Sequence, residues 1–280
     1  MQLEFPWALG PPDGRYVLRG HAGEPEHVLI VTTLGAPERR LLRGRRPQPA
    51  SGDPAPVTTT RVTLVGATPF ADADGADAWL RTATTRGDAG EAQAGEAIAA
   101  LNGVLYHQRL ASADPHVREV SRAQALVVRV GLGEGEQIAN GRWSQAVELP
   151  PTRERERPRR QAALRSQERL AALLGGRDAA LACEELALRA RLDLDAGRRR
   201  EAALQLDAAL GVAFPELAPW AGQADLSARL DELRALRDGV AAAARSAREG
   251  GVDDEDADRV AHALARLEAA LRARTALGFD

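Results

Sequence analysis

The chain has 280 residues, of which 44% are hydrophobic and only 4% aromatic, with a formal net charge of −3. That length suits one large or two ordinary domains with a core built mostly of alanine and leucine, and the charge balance gives no global attraction to nucleic acid or to an anionic membrane. All 37 basic residues are arginine, which excludes a Walker A lysine, Schiff-base or pyridoxal anchoring and the protein-kinase lysine; the single cysteine excludes an intramolecular disulfide and any multi-cysteine zinc or iron–sulfur site.

No apolar run reaches the roughly 18 residues of a membrane-spanning helix. The opening MQLEFPWALGPPDG lacks the basic and apolar regions of a secretory signal, so the cytoplasm is the expected address. Abundant arginine and alanine carry the codon bias of a GC-rich genome.

In chain order, RYVLRG (15–20) and HVLIVTTLG (27–35) are apolar, β-branched runs joined by a loop short enough for an antiparallel hairpin. Residues 36–58 crowd proline, glycine and arginine and predict a surface loop. TTRVTLVGA (59–67) is the next strand, followed by a turn and a short helix carrying Trp79. A helix over about 89–111 places Ala94, Ala97, Ile98, Leu101, Val104 and Leu105 on one stripe, and Asp114-Pro115 stops it. SRAQALVVRVGL (121–132) holds the strongest strand pattern. Residues 1–150 therefore predict an α+β or α/β domain with a small mixed sheet.

A charged linker at 151–160 divides this from residues 161–280, which predict an all-α domain ending in a helical hairpin. Gly175-Gly176 closes its first helix. Asp178 is placed to cap a helix running to Ala196, and Asp225 to cap a long helix running to Glu249. ALRARLDLDAGRRREAALQLDAAL resembles one tetratricopeptide-type hairpin over about 25 residues, but no 34-residue period recurs, so no array is implied. Cys183 lies in a helical pattern and predicts a buried small hydrophobe rather than a nucleophile.

The last two helices carry a seam of Leu226, Leu230, Leu233, Leu236 or Arg237 and Val240 against Val260, Leu264, Leu267 and Leu271. Gly250-Gly251 turns them antiparallel. The seam packs on neighbouring helices, or it forms a partner-binding or self-association surface.

The stretch 126–143, LVVRVGLGEGEQIANGRW, brings a strand into Gly131, Gly133 and Gly135. A dinucleotide fingerprint requires a long helix after the glycines. Here Glu134 and Glu136 stand where phosphates need positive potential, and Asn140-Gly141 ends any helix within a few residues. The glycines are expected to relieve a strand exit instead. GRWSQAVEL (141–149) fits either a hairpin strand or a helix-turn-helix spacing.

His21, His27, His107, His116 and His262 show no helical metal spacing, although His107 and His116 with Asp72 or Asp74 could meet in space. No catalytic motif is present, and no catalytic residue, metal ligand or cofactor is assigned. Arg39, Arg40, Arg43, Arg45 and Arg46 cluster without an acid and suit weak phosphate contacts, but no stacking aromatic interleaves them. A second arginine group at 153–160 is diluted by Glu154 and Glu156.

The leading expectation is a non-catalytic interaction or scaffold protein acting through its helical domain, with a protein partner or itself. The second is a nucleic-acid-associated factor using Arg39–Arg46. The third is an enzyme of unknown class, its site near the strand exits at Gly66–Thr68 and Gly131–Gly135.

Overall fold

The computed structural model describes residues 1–20, 22–35, 57–85, 88–150 and 160–278. The chain divides into two compact units, Met1–Arg155 and Glu156–Asp280.

The first unit is an α+β arrangement. Strands β1 (Gln2–Phe5), β2 (Gly14–Arg19), β3 (Pro25–Leu34), β4 (Thr59–Gly66), β5 (Val127–Leu132) and β6 (Gln145–Glu148) form one sheet in the order β2-β3-β4-β1-β5-β6. Helices α1 (Ala73–Thr84) and α2 (Asp88–Ser112) lie between β4 and β5 in sequence. Alternation sends successive side chains to opposite faces. Leu3, Phe5, Leu29, Val31, Val62, Leu64, Val128 and Val130 are buried in one cluster with Leu80 of α1 and with Ala94, Ala97, Leu101 and Leu105 of α2. The intervening residues point to the other face. There the Glu4 carboxylate accepts from Arg61 at 2.9 Å and Arg129 at 3.2 Å, and Gln2 donates to Thr63 at 3.1 Å.

The expected sheet was mixed; every pairing is antiparallel. The helical crossover from β4 to β5 does join strands of like direction, but they are not neighbours. β1 occupies the gap and runs against both. β1 was not expected at all, because QLEF is four residues long and its partners lie about 60 and 127 positions away.

Residues 141–149 form a hairpin strand, not a helix-turn-helix. A 3-10 helix, Gly135–Asn140, closes on Gly141 in the left-handed region (φ 76°), and β6 then pairs back on β5 with Val147 opposite Val130. The predicted loop 36–58 lies mostly outside the described residues, as do Arg39, Arg40, Arg43, Arg45, Arg46 and His21.

The second unit is all helix: α3 (Arg160–Leu174), α4 (Ala182–Asp195), α5 (Arg199–Leu217), α6 (Ala224–Glu249) and α7 (Asp254–Ala276), with a 3-10 turn at Ala218–Trp220. α4 and α5 form a hairpin through Gly197, and α6 and α7 another through Gly250, both glycines at positive φ. Small residues allow close approach: Ala202, Ala209 and Ala213 of α5 are fully buried against their neighbours.

The seam proposed as a partner surface is interior. Leu226, Leu230, Leu233, Val240, Val260, Leu264 and Leu267 are each at most 1% exposed, and Leu271 is partly buried against the same cluster. Its partners lie in this chain: α6 and α7 pack on each other, α5 packs on both, and α4 packs on α7.

Two caps also differ from expectation. Asp178 does not cap α4; Leu181 is the N-cap, Glu184 accepts from its backbone N–H, and Glu216 accepts from those of Ala182 and Cys183 at 3.0 and 2.9 Å. Asp178 instead pairs with Arg274 and Arg169. Asp225 lies inside the first turn of α6, whose N-cap is Gln223, and bonds Arg229 one turn on. In both cases a carboxylate finds a guanidinium, a stronger charge-assisted partner than a single N–H.

Candidate functional site

The first unit carries a cleft of about 1180 Å³ at the end of the sheet where β4 and β5 finish. β4 leaves the sheet through Gly66, Ala67, Thr68 and Pro69, and β5 through Gly131, Leu132 and Gly133; both exits line the cleft. Because both strands run against β1, their C-terminal ends share one edge, and Met1 at the start of β1 lies between them. The Met1 amino group donates to the Leu64 carbonyl at 2.8 Å, and burial pushes its pKa down to about 6.

Strand alternation divides the wall into two lobes. His27 shares the face of Leu29, and Leu132 and its partner Gln145 share that of Val130, so these line the helix-side lobe. There they meet Phe70, Asp77, Trp79 and Glu96. α1 is set in place by Asp72, whose carboxylate caps it by accepting from the Gly75 N–H at 2.7 Å. The helix then projects Asp77 and Trp79 into the cleft. Gln145 donates to Asp77 at 3.0 Å and fastens β6 to α1. Phe70 and Trp79 meet at 5.5 Å between centroids with their planes at 49°, forming a corner rather than a flat platform. Trp79 packs partly into the core, while Phe70 is 47% exposed.

The other lobe lies on the opposite face, with Arg15, Val28, Ile30 and Trp143. Its geometry explains the glycines of the 126–143 stretch. A Cβ at Gly131 would lie 2.2 Å from the Trp143 ring, so only glycine lets the indole lie on the strand. A Cβ at Gly133 would come within 3.0 Å of Ile138. These residues cradle a tryptophan of their own chain.

The remaining sequence candidates are dispersed. His107, His116 and His262 are exposed, Asp72 is the α1 cap, and among the described residues no group of three His, Cys, Asp or Glu side chains is placed to hold a metal. Cys183 is buried; desolvation first, and then the neighbouring Glu216 carboxylate, push its thiol well above the usual range. It behaves as the small hydrophobe expected. The cleft residues Phe70, Asp77, Trp79, Trp143 and Gln145 carried no site assignment in the sequence. The usable signal was that two of the four tryptophans and one of the four phenylalanines of an aromatic-poor chain follow strand exits.

No family model, curated protein or solved structure matches the chain.

The fixed charges on the cleft wall are unbalanced. Asp77, Glu96 and Glu134 line it against Arg15, which belongs to the opposite lobe. Glu96 and Glu134 are ion-paired with nothing among the described residues. The wall offers aromatic surface, carboxylate and amide acceptors and an imidazole, a combination suited to holding a small molecule.

Proposed function

We propose that this is a ligand-binding protein whose first unit takes a small molecule in the cleft at the β4 and β5 exits. The observation that carries this reading is that Phe70 and Trp79 in one lobe and Trp143 in the other all line a single cleft, in a chain with only 4% aromatic residues. Exposed aromatic surface in a concavity, with a few oriented polar groups, is what binding sites share. Binding is favoured over catalysis because two of the cleft's polar side chains are engaged structurally. Asp77 accepts from Gln145, and the Ser144 hydroxyl donates to the Leu132 carbonyl at 3.1 Å.

The test is a ligand-observed NMR screen of a fragment library against the full chain, repeated on Trp143→Ala and Phe70→Ala. Fragments that bind the parent and lose binding in either variant support the reading. A library with no hit, or hits indifferent to both variants, overturns it.

A second reading keeps the helical unit as an interaction or scaffold module, on a different surface from the buried seam. Leu188 and Leu192 stand one turn apart on the outer side of α4, 68% and 47% exposed, and Leu170 and Leu174 repeat that spacing on α3. Sedimentation velocity of the parent and of Leu188→Glu with Leu192→Glu tests it. A monomer in both, at the highest accessible concentration, removes self-association.

A further inference from the structure

We infer that the cleft takes an organic cation, an alkylated or quaternary amine, in its helix-side lobe. This rests on the reading of the cleft as a ligand site. Three features of the lobe point the same way.

The first is shape. Phe70 and Trp79 meet at 49° with centroids 5.5 Å apart and both line the cleft, so a rounded group in the corner touches both rings at once. A flat sugar or base needs one broad exposed face, which a corner does not give. Ring faces carry the negative side of the aromatic quadrupole and attract a cation within about 6 Å of the centroid.

The second is charge. Asp77 and Glu96 share this lobe, and the Arg15 guanidinium that would neutralise them lies across the sheet on the other face. Glu96 has no ion pair among the described residues, and Asp77 is held only by the neutral amide of Gln145. Two carboxylates beside apolar rings create a negative potential that a neutral ligand leaves uncompensated.

The third is chemistry already excluded. Among the described residues no lysine or arginine lines this lobe, which therefore presents no side-chain counter-ion for a phosphate or carboxylate ligand.

The experiment uses the full chain, choline and tetramethylammonium as probes, and 3,3-dimethyl-1-butanol as the uncharged isostere of choline. Binding is read by tryptophan emission and by titration calorimetry. The expected result is saturable binding of both cations, with the isostere at least about tenfold weaker, since the shapes match and only the charge differs. Phe70→Ala is expected to weaken choline about tenfold, and Glu96→Gln about threefold. Phe70 and Glu96 are exposed, so neither variant threatens the core; far-UV circular dichroism confirms that each folds.

Equal or tighter binding of the isostere overturns the cation assignment and leaves the cleft a ligand site. So does failure of both cations when uncharged fragments still bind in a Phe70-dependent way. Choline binding untouched by Phe70→Ala and Glu96→Gln overturns it by placing the cation elsewhere. Absence of any Phe70- or Trp143-dependent ligand removes the cleft reading as well.

Discussion

The two units use their apolar residues differently. In the helical unit the long stripes of α5, α6 and α7 are absorbed. The seam of α6 and α7, the alanines of α5 and Cys183 of α4 converge on one cluster, and the buried Asp178 and Arg274 side chains pair with one another. In the sheet unit the helices cover one face only, and the sheet ends abruptly where β4 and β5 stop. Among the described residues no further element covers the aromatic rings and carboxylates at that edge. A complete core consumes its own pattern; an incomplete one leaves a concave surface. The periodic half of the sequence was therefore the weaker guide to a working surface.

The sharpest way to break this comparison is Leu233→Asp. Leu233 is fully buried. Truncating such a leucine costs about 2–5 kcal/mol, and a buried carboxylate adds to that. Loss of most of the helical signal in far-UV circular dichroism is expected. Retained helicity with loss of self-association alone would return the seam to the surface.

Asp178 tests the polar part of the helical core. Its side chain is 2% exposed beside Arg274, itself 5% exposed and stacked 4.6 Å from the centre of the Trp220 ring. Asp178→Asn leaves that guanidinium without its counter-charge, and a loss of about 3 kcal/mol is expected in urea unfolding. An unchanged midpoint would make the pair ornamental.

Asp178 also sets a pH dependence. The hydrogen bond from Arg274 is the main cause holding its carboxyl down to about 2, against an ordinary value of 3.8. A carboxyl lowered on folding stabilises the folded state above its unfolded value and ceases to do so as pH falls through the folded one. The contribution, about 2 kcal/mol, is thus complete above about pH 4 and lost between there and pH 2. Urea midpoints followed through that window are expected to fall in the parent and to fall less in Asp178→Asn.

On the sheet side, Gly131→Ala sharpens the comparison. The added methyl group meets the Trp143 ring and must displace it. Overpacking costs about 1–3 kcal/mol, and a red shift of tryptophan emission is expected as the indole leaves the strand. No spectral change would mean that the glycine serves the backbone alone. The smallest effect concerns Cys183. A thiol reagent is expected to leave it unmodified in the native protein and to modify it fully in denaturant, because burial disfavours the thiolate; rapid native reaction would contradict its place in the core.

Local signals were legible wherever the physics is local. Hydrophobic spacing located α2, α6 and α7, the β2–β3 hairpin and the β5 strand, since a stripe at helical or alternating period needs only the residues that form it. Glycine and proline marked the turns at Gly197, Gly250 and Asp114-Pro115 for the same reason. β1 escaped because four residues carry too little pattern, and its existence depends on strands far along the chain. β6 escaped because GRWSQAVEL satisfies two spacings at once, and only pairing with β5 selects one.

What the sequence by itself determined is the class of object: a mixed α and β half, a helical half, and the chemistries that a chain with no lysine and one cysteine cannot perform. What only the tertiary structure decided is which apolar stripe is covered and which surface stays open. Burial is a property of pairs of elements, so one leucine seam reads the same whether its partner is another molecule or α4 and α5 of its own chain. The cleft depends on the same information. Phe70, Asp77, Trp79 and Gln145 are separated by up to 75 positions, and it is the insertion of β1 between β4 and β5 that brings the two strand exits to one edge and these side chains to one wall.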